Sequence, residues 1–326
     1  MGHSCVLIVT DKLDAHADRV IDQLHFLDYQ AFRVNAADLM KDYEFSFFED
    51  EVGTSITLGD SRHRHLQLPV GVVAAYYRKP DDVVAPDDVT DQRAIEFVRV
   101  EGNALLKCLY AYPGIRWVND PFLIARAEAK LPQLATARAC GLEIPRTIVT
   151  NKVDRAKAFA ASCRGGVICK TFAPTTIKID DTAHGCYTYK LADSEFIEFL
   201  DSIRDGPTLL QEWIPKRVEL RVTVIGNDIF ACEIDSQSSP QALIDWRKAD
   251  VFALPHKVVT LPTTTMESVM RFVRFYGLEF AALDFILTPD DKLVFLENNP
   301  NGQWYWIEAM TGLPMARAVA KLLVRA

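Results

Sequence analysis

DFILTPDDKLVFLENNPNGQW, residues 284–304, is the stretch on which the fold turns. Within it, 285–287 and 293–297 are apolar and β-branched, and Thr288-Pro289-Asp290-Asp291 is a turn signal. This spacing predicts two antiparallel strands. Glu297 and Asn299 stand two residues apart, so they share one face of the sheet if the second strand runs that far. Asp284, at the start of the partner strand, comes beside them in the hairpin. Two carboxylates and an amide oxygen form a donor set suited to magnesium, which prefers oxygen and keeps water and nucleotide phosphates in its shell. The competing reading is an ordinary polar strand end closed by a turn at Pro300-Asn301-Gly302. The triplet alone does not decide between them.

The rest of the chain narrows the choice. Its 326 residues allow two or three domains, and an apolar content of 49% with 25% charged residues belongs to a packed globular protein. A formal net charge of −8 argues against a general nucleic-acid binder. It leaves room for an acidic substrate in a cleft lined by arginines. Seven dispersed cysteines without a C-x-x-C pair predict reduced thiols rather than a disulfide framework or zinc site. No signal peptide opens the sequence and no apolar run reaches bilayer length, so a soluble cytoplasmic protein without membrane partners is expected.

From the N-terminus, 5–10 (CVLIVT) reads as a buried parallel strand, 11–28 as a helix with an apolar stripe, and 31–34 as a second strand. This βαβ opening predicts an α/β domain, and the lack of G-x-G-x-x-G argues against a dinucleotide site in its first turn. Short strands and turns are predicted over 43–70. His63 and His65 there read as a solvated loop, because no third metal ligand stands beside them. Strand 70–77 ends in Arg78-Lys79-Pro80, which suits either a cleft or a surface turn. Asp91 precedes a helix over 94–110, and a domain boundary fits near residue 120.

Beyond it, one helix is expected over 122–140, carrying Lys130 and ending at Gly141 as a C-cap. Strands follow at 146–150 and 167–170, the latter closing in Lys170, whose ammonium must sit at the strand's wet end. Residues 173–191 read as a hairpin turning near 180–185. Strand 207–214 carries Gln211-Glu212-Trp213-Ile214. The hairpin 218–225/229–234 sets Glu219 and Arg221 on one face, and Asp245-Trp246-Arg247 follows a polar loop. Helix 264–276, strands 280–287 and 293–299, and a helical segment broken at Gly312-Leu313-Pro314 complete the chain.

Taken in this order, Lys130, Lys170, Gln211–Ile214 (QEWI), the Glu219/Arg221 strand, Arg247 and the acidic triplet resemble the ATP-grasp ligases over about 120–326. The resemblance implies an α/β chain with α+β subdomains: an N-terminal pre-ATP-grasp α/β domain at 1–120, then a catalytic region at 121–326. Its central subdomain spans about 121–210 and its C-terminal subdomain about 211–326. It implies that Lys130 and Lys170 contact ATP phosphates, that Gln211, Glu212, Trp213 and Ile214 form the adenine hinge, and that Glu219 meets the ribose. Asp284, Glu297 and Asn299 would hold two Mg2+ ions, with Arg221 and Arg247 steadying the transferred phosphoryl group and the substrate carboxylate. Lysine charges, divalent metals and arginine forks are what a phosphate-rich cleft requires.

YYRKP at 76–80, EWIPKRVELRVTVIG at 212–226, DWR at 245–247 and LENNPNGQWYWIEAMTGLP at 296–314 are similar to the microviridin-type maturases, the graspetide ligases of ribosomal precursor peptides. Lys79 stands where an arginine would also be expected, keeping the charge but losing the bidentate fork. The resemblance implies phosphorylation of a core Asp or Glu, attack by a Ser/Thr hydroxyl or Lys amine, and a macrolactone or macrolactam. A leader peptide would dock on the 174–190 hairpin, unless that segment is instead a phosphate-covering loop, and the enzyme would be a homodimer. The other readings are an ATP-grasp ligase joining amino acids or adding residues to a peptide or protein, as glutathione synthetase-like enzymes do, and an ATP-binding regulator without turnover.

Overall fold

The structure, a computed structural model, describes residues 5–51, 53–172, 176–179, 182–185 and 187–325, with backbone alone at 176–179, 182–185 and 193–194. The N-terminal sheet is parallel, in the order Gln30–Asn35, Cys5–Thr10, Val72–Arg78, Trp117–Val118. Every residue of Cys5–Thr10 is buried, because helices cover both faces. Val6 and Ile8 pack with Ala17, Val20 and Leu24 of helix Ala15–Phe26, while Leu7 and Val9 pack with Leu106 and Leu109 of helix Gln92–Ala111. That two-sided burial explains the unbroken apolar run. Asp91 caps the second helix, accepting from Arg93 N and Ala94 N. Strands Tyr43–Glu49, Thr54–Asp60 and His65–Leu68 form a small antiparallel sheet, and His63 and His65 are exposed at its last turn.

A four-stranded antiparallel sheet follows, ordered Tyr189–Leu191, Val167–Lys170, Thr208–Glu212, Thr147–Thr150. The last sheet has five antiparallel strands in the order His256–Val259, Asp228–Ile234, Val218–Ile225, Phe280–Leu287, Leu293–Asn299. Of the segment 174–190, strands Thr176–Ile179 and Thr182–Gly185 pair antiparallel, whereas 174–175, 180–181 and 186 lie outside the described residues.

Two expectations are corrected. The single helix over 122–140 is two helices, Pro121–Ala127 and Lys130–Ala139, separated where Ala129 turns extended at φ −66° and ψ 107°. Gln133, buried in the second, accepts from Asn298 N and donates to Asn298 O, both at 2.9 Å, tying that helix to strand Leu293–Asn299. Asp284 is mid-strand rather than at a strand start, since its strand begins at Phe280. Gly141 follows the second helix at φ +87°, with Leu142 N donating to Ala137 O, a left-handed helix end that a side chain would strain.

The C-terminal helices Tyr305–Thr311 and Met315–Val324 are separated by Gly312 at φ +72°. The second returns to the first sheet, where Ala316, Val319, Ala320 and Leu323 share a core with Val6 and Ile8. Among the described residues no helix is long and apolar enough to cross a membrane, and the described cysteines are free thiols.

Candidate active site

Three strands present one row of charge. Arg221 is paired in register with Asp284, and Asp284 with Glu297. Cross-strand partners share a sheet face, so the three side chains converge. Arg221 Nη1 donates to both Asp284 oxygens at 2.7 and 2.9 Å, and Asn299 Nδ2 donates to Asp284 Oδ2 at 3.0 Å. Lys130 Nζ, at the start of its helix, reaches Glu297 Oε2 at 3.0 Å. A register irregularity after Asp284 sets Phe285 opposite Phe295, where both join the core behind the row.

The carboxylates diverge electrostatically. Burial, reinforced by the charge of Glu297, raises the Asp284 pKa against the pull of Arg221. Burial also acts on Glu297, but Lys130, Lys170 and Arg247 together outweigh it and hold that carboxyl low. Such a donor set fits a divalent cation: two desolvated carboxylates face one another with an amide alongside, and protein cations alone leave Asp284 under-compensated.

A cleft of about 630 Å³ lies between the antiparallel sheets, lined by Lys170 and Gln211–Ile214 from one side and Glu219, Asp284 and Glu297 from the other. Ile168, Ile286 and Leu296 supply apolar walls. Gln211 Nε2 donates to Thr147 Oγ1 at 3.0 Å, while its Oε1 is buried with no hydrogen-bond partner among the described residues. An unpaired buried acceptor beside apolar walls fits a flat heteroaromatic base carrying a donor. Burial lowers the pKa of Lys170, with Glu297 opposing. An ammonium so desolvated gains by meeting phosphate oxygen.

Sequence reasoning missed Lys216. Its ammonium, 2% exposed, donates to Glu219 Oε1 at 2.6 Å and to Ile244 O at 3.0 Å. Burial raises the Glu219 pKa, and the charge and hydrogen bond of Lys216 oppose that rise. The i, i+3 spacing carries meaning on helices. Here it lies in an extended approach to a strand, and no local pattern marks it.

Two further spaces adjoin the cleft. One of about 1220 Å³ is bounded by Lys130, Lys170, Thr171 and Phe172, the other of about 960 Å³ by Lys79, Arg221, Trp246, Phe252 and Trp306. Arg247 and Glu297 line all three. Arg247 is held by a fork onto Asp245, Nε to Oδ1 at 2.8 Å and Nη2 to Oδ2 at 2.7 Å, and Asp245 also accepts from Thr188 N at 3.1 Å. Arg78 is no surface residue: it is 2% exposed and reaches the 301–304 loop, while Lys79, at φ +41°, faces the third space.

No family model matches the chain, and no curated protein matches it. Solved structures do, over almost its full length. A RiPP-associated ATP-grasp ligase from Chryseobacterium gregarium, in complex with ADP and a leader and core peptide, is 25% identical with a TM-score of 0.92, covering 98% of this chain and 96% of that one. The macrocyclase MdnC of Microcystis aeruginosa MRC, bound with precursor peptide MdnA, is 25% identical with a TM-score of 0.86 over 99% and 100%. The macrocyclase MdnB of the same organism is 27% identical with a TM-score of 0.80 over 99% and 100%. The architecture is that of the ATP-grasp ligases, as the motif order predicts.

Proposed function

We propose that this chain, which shares its fold end to end with RiPP-associated ATP-grasp ligases and macrocyclases, is an ADP-forming ligase that macrocyclises a ribosomally made precursor peptide. The observation that carries this reading is the meeting of three spaces at Glu297 and Arg247. Nucleotide, transferred phosphoryl group and acceptor peptide must share one point, and this is the point lined from all sides. Gln211, Glu212, Trp213 and Ile214 receive the adenine, Glu219 the ribose, and Lys130 and Lys170 the phosphates. Asp284, Glu297 and Asn299 would hold magnesium, as two ions, which supplies charge neutralisation for the phosphate oxygens.

A core Asp or Glu oxygen attacks the γ-phosphorus, the bond to the β-phosphate oxygen breaks, and ADP leaves. Arg221 and Arg247 border this junction and steady the phosphoryl group and the carboxylate. A Ser/Thr hydroxyl or Lys amine of the same peptide then attacks the acyl carbon, expelling phosphate and losing its proton to solvent. Activation is needed because a carboxylate is a poor electrophile, and attack within one peptide gains from high effective molarity. Residues 121–326 form the catalytic region on this reading and 1–120 its N-terminal partner. The paired strands within 176–185 dock the leader, and the enzyme acts as a homodimer in the cytoplasm, where ATP and fresh precursor are supplied.

Intact-mass spectrometry on precursor peptides encoded beside the gene, with ATP and magnesium, tests the proposal. Loss of about 18 Da per cross-link, with ADP and phosphate released, is the expected result of condensation through an acyl phosphate. Gain of an amino-acid residue would replace it with the amino-acid ligase reading. An unchanged peptide beside tight ATP binding would favour a regulator.

A further inference from the structure

Residues 301–304 are gripped from two sides. Toward the cleft, the Gln303 carbonyl accepts from Arg221 Nη2 at 2.9 Å. A Cβ added to Gly302 would lie 3.0 Å from the same nitrogen and 2.6 Å from Ala282 Cβ, so the backbone presses directly on the guanidinium. Away from the cleft, the grip comes from the end of the N-terminal strand Val72–Arg78 and from the first turn of helix Ala15–Phe26. Arg78 Nη1 donates to Asn301 O at 3.2 Å and to Asn301 Oδ1 at 3.3 Å, and Trp304 N donates to His16 Nε2 at 3.2 Å.

Asp14 joins the two outer anchors. It accepts from Thr10 Oγ1 at 2.7 Å and meets His16 Nδ1 at 2.9 Å, and Arg78 Nε lies 3.6 Å from its carboxylate. Because a backbone N–H can only donate, His16 Nε2 must offer its lone pair to Trp304, and the ring proton must sit on Nδ1, donating to Asp14. The arrangement defines one neutral tautomer. Trp304 itself is fully buried, with its ring edge-on to His16 at 5.2 Å.

We propose that His16 and Arg78 are positioning residues: by anchoring both ends of the 301–304 loop they set, through Gln303, the place of the Arg221 guanidinium over Asp284. The proposal rests on the ligase reading above, in which Arg221 borders the reacting groups. Without the outer anchors, the loop and the arginine it holds would drift together, and reacting groups lose rate steeply with small displacements.

The test pairs two substitutions. His16→Asn keeps a donor for Asp14 but offers no acceptor at the distance of Trp304 N–H, whereas His16→Gln supplies one. Cross-linking turnover in His16→Asn should fall about tenfold, with the KM for ATP unchanged, and His16→Gln should stay within about threefold of wild type. Hydrogen exchange of the free protein provides a second readout: the amides of 301–304 should exchange faster in His16→Asn and not in His16→Gln.

A pH profile adds a third. Protonated His16 would turn an N–H against Trp304 N–H, so wild type should lose turnover on the acid side and His16→Gln should lack that limb. Burial, Arg78 and Lys79 oppose the proton and Asp14 favours it, placing the limb below the ordinary histidine range. Among neighbours, Tyr305 packs on the ring and carries Arg19 on its far face.

Wild-type turnover and exchange in His16→Asn would overturn the proposal. A wild-type protein that forms no cross-link, while the exchange pattern holds, would sink the ligase reading and leave the loop anchoring intact. Arg78→Lys, which keeps charge but loses the reach to Asn301, repeats the test from the other anchor should His16→Asn not fold.

Discussion

Asp284 stands directly across the sheet from Glu297, yet each answers to a different cation: Arg221 Nη1 lies 2.7 Å from Asp284, and Lys130 Nζ lies 3.0 Å from Glu297. The two cations come from different elements, a central strand and the first turn of a helix. Two acids facing one another are thereby kept in the folded protein, each with a cation of its own. The predictions below probe that arrangement and its surroundings.

Glu297→Gln preserves shape and removes one charge. Turnover should fall at least about a hundredfold, more than the loss of an outer-shell partner of a metal costs. The fold should survive with a lowered melting temperature, because Lys130 keeps an amide oxygen to bond but Lys130, Lys170 and Arg247 lose the charge that compensates them. Full activity would end the metal assignment.

Lys170→Met should weaken ATP binding by about tenfold or more, the size of a lost hydrogen bond to a charged partner. Stability should be unharmed, since burial already disfavours this ammonium. Calorimetric titration with ATP against thermal melting separates the two effects. Unchanged affinity would remove Lys170 from the nucleotide site.

Arg247→Ala should spare nucleotide affinity and damage chemistry. The guanidinium is held by Asp245 where all three spaces meet, so turnover at saturating ATP should drop about a hundredfold while the Kd for ATP stays within about threefold. A variant with poor ATP binding and normal saturated turnover would contradict the role.

Acid should loosen the join between N-terminal sheet and cleft. Burial alone would raise the Asp14 pKa, but hydrogen bonds from His16 and Thr10 and the charge of Arg78 bring it to about 2. A depressed carboxyl contributes stability above its unfolded pKa, about 2 kcal/mol here, and loses it as pH falls from about 4 toward 2. His16 acts in the same direction from a higher pH, because its folded pKa lies below that of the unfolded chain. Stability should therefore decline in two stages below about pH 6.5. Urea unfolding of wild type and Asp14→Asn between pH 7 and 2 checks this, the variant being expected to lack the stage below about pH 4. An equally steep acid decline in the variant would exclude Asp14 as its source.

Local rules carried much of the chain. The strand–turn–strand pattern at 280–299, the buried run at 5–10 and the Glu219/Arg221 alternation all follow from side-chain period and turn chemistry. Residue order along the chain then pointed to the ATP-grasp architecture that the solved relatives share. What no local pattern contained were contacts between distant segments. Lys216 is held not only by nearby Glu219 but by the carbonyl of Ile244, 28 residues on in sequence. Arg78, legible only as a basic strand end, becomes a buried anchor 223 residues away in sequence from Asn301. The break at 128–129 interrupts a helical pattern that continues through it, and the helix beyond it is bonded through Gln133 to a strand 165 residues on. Periodicity records which face of an element is buried. Which groups meet across those faces depends on how the sheets and helices pack, and only the tertiary structure decides that.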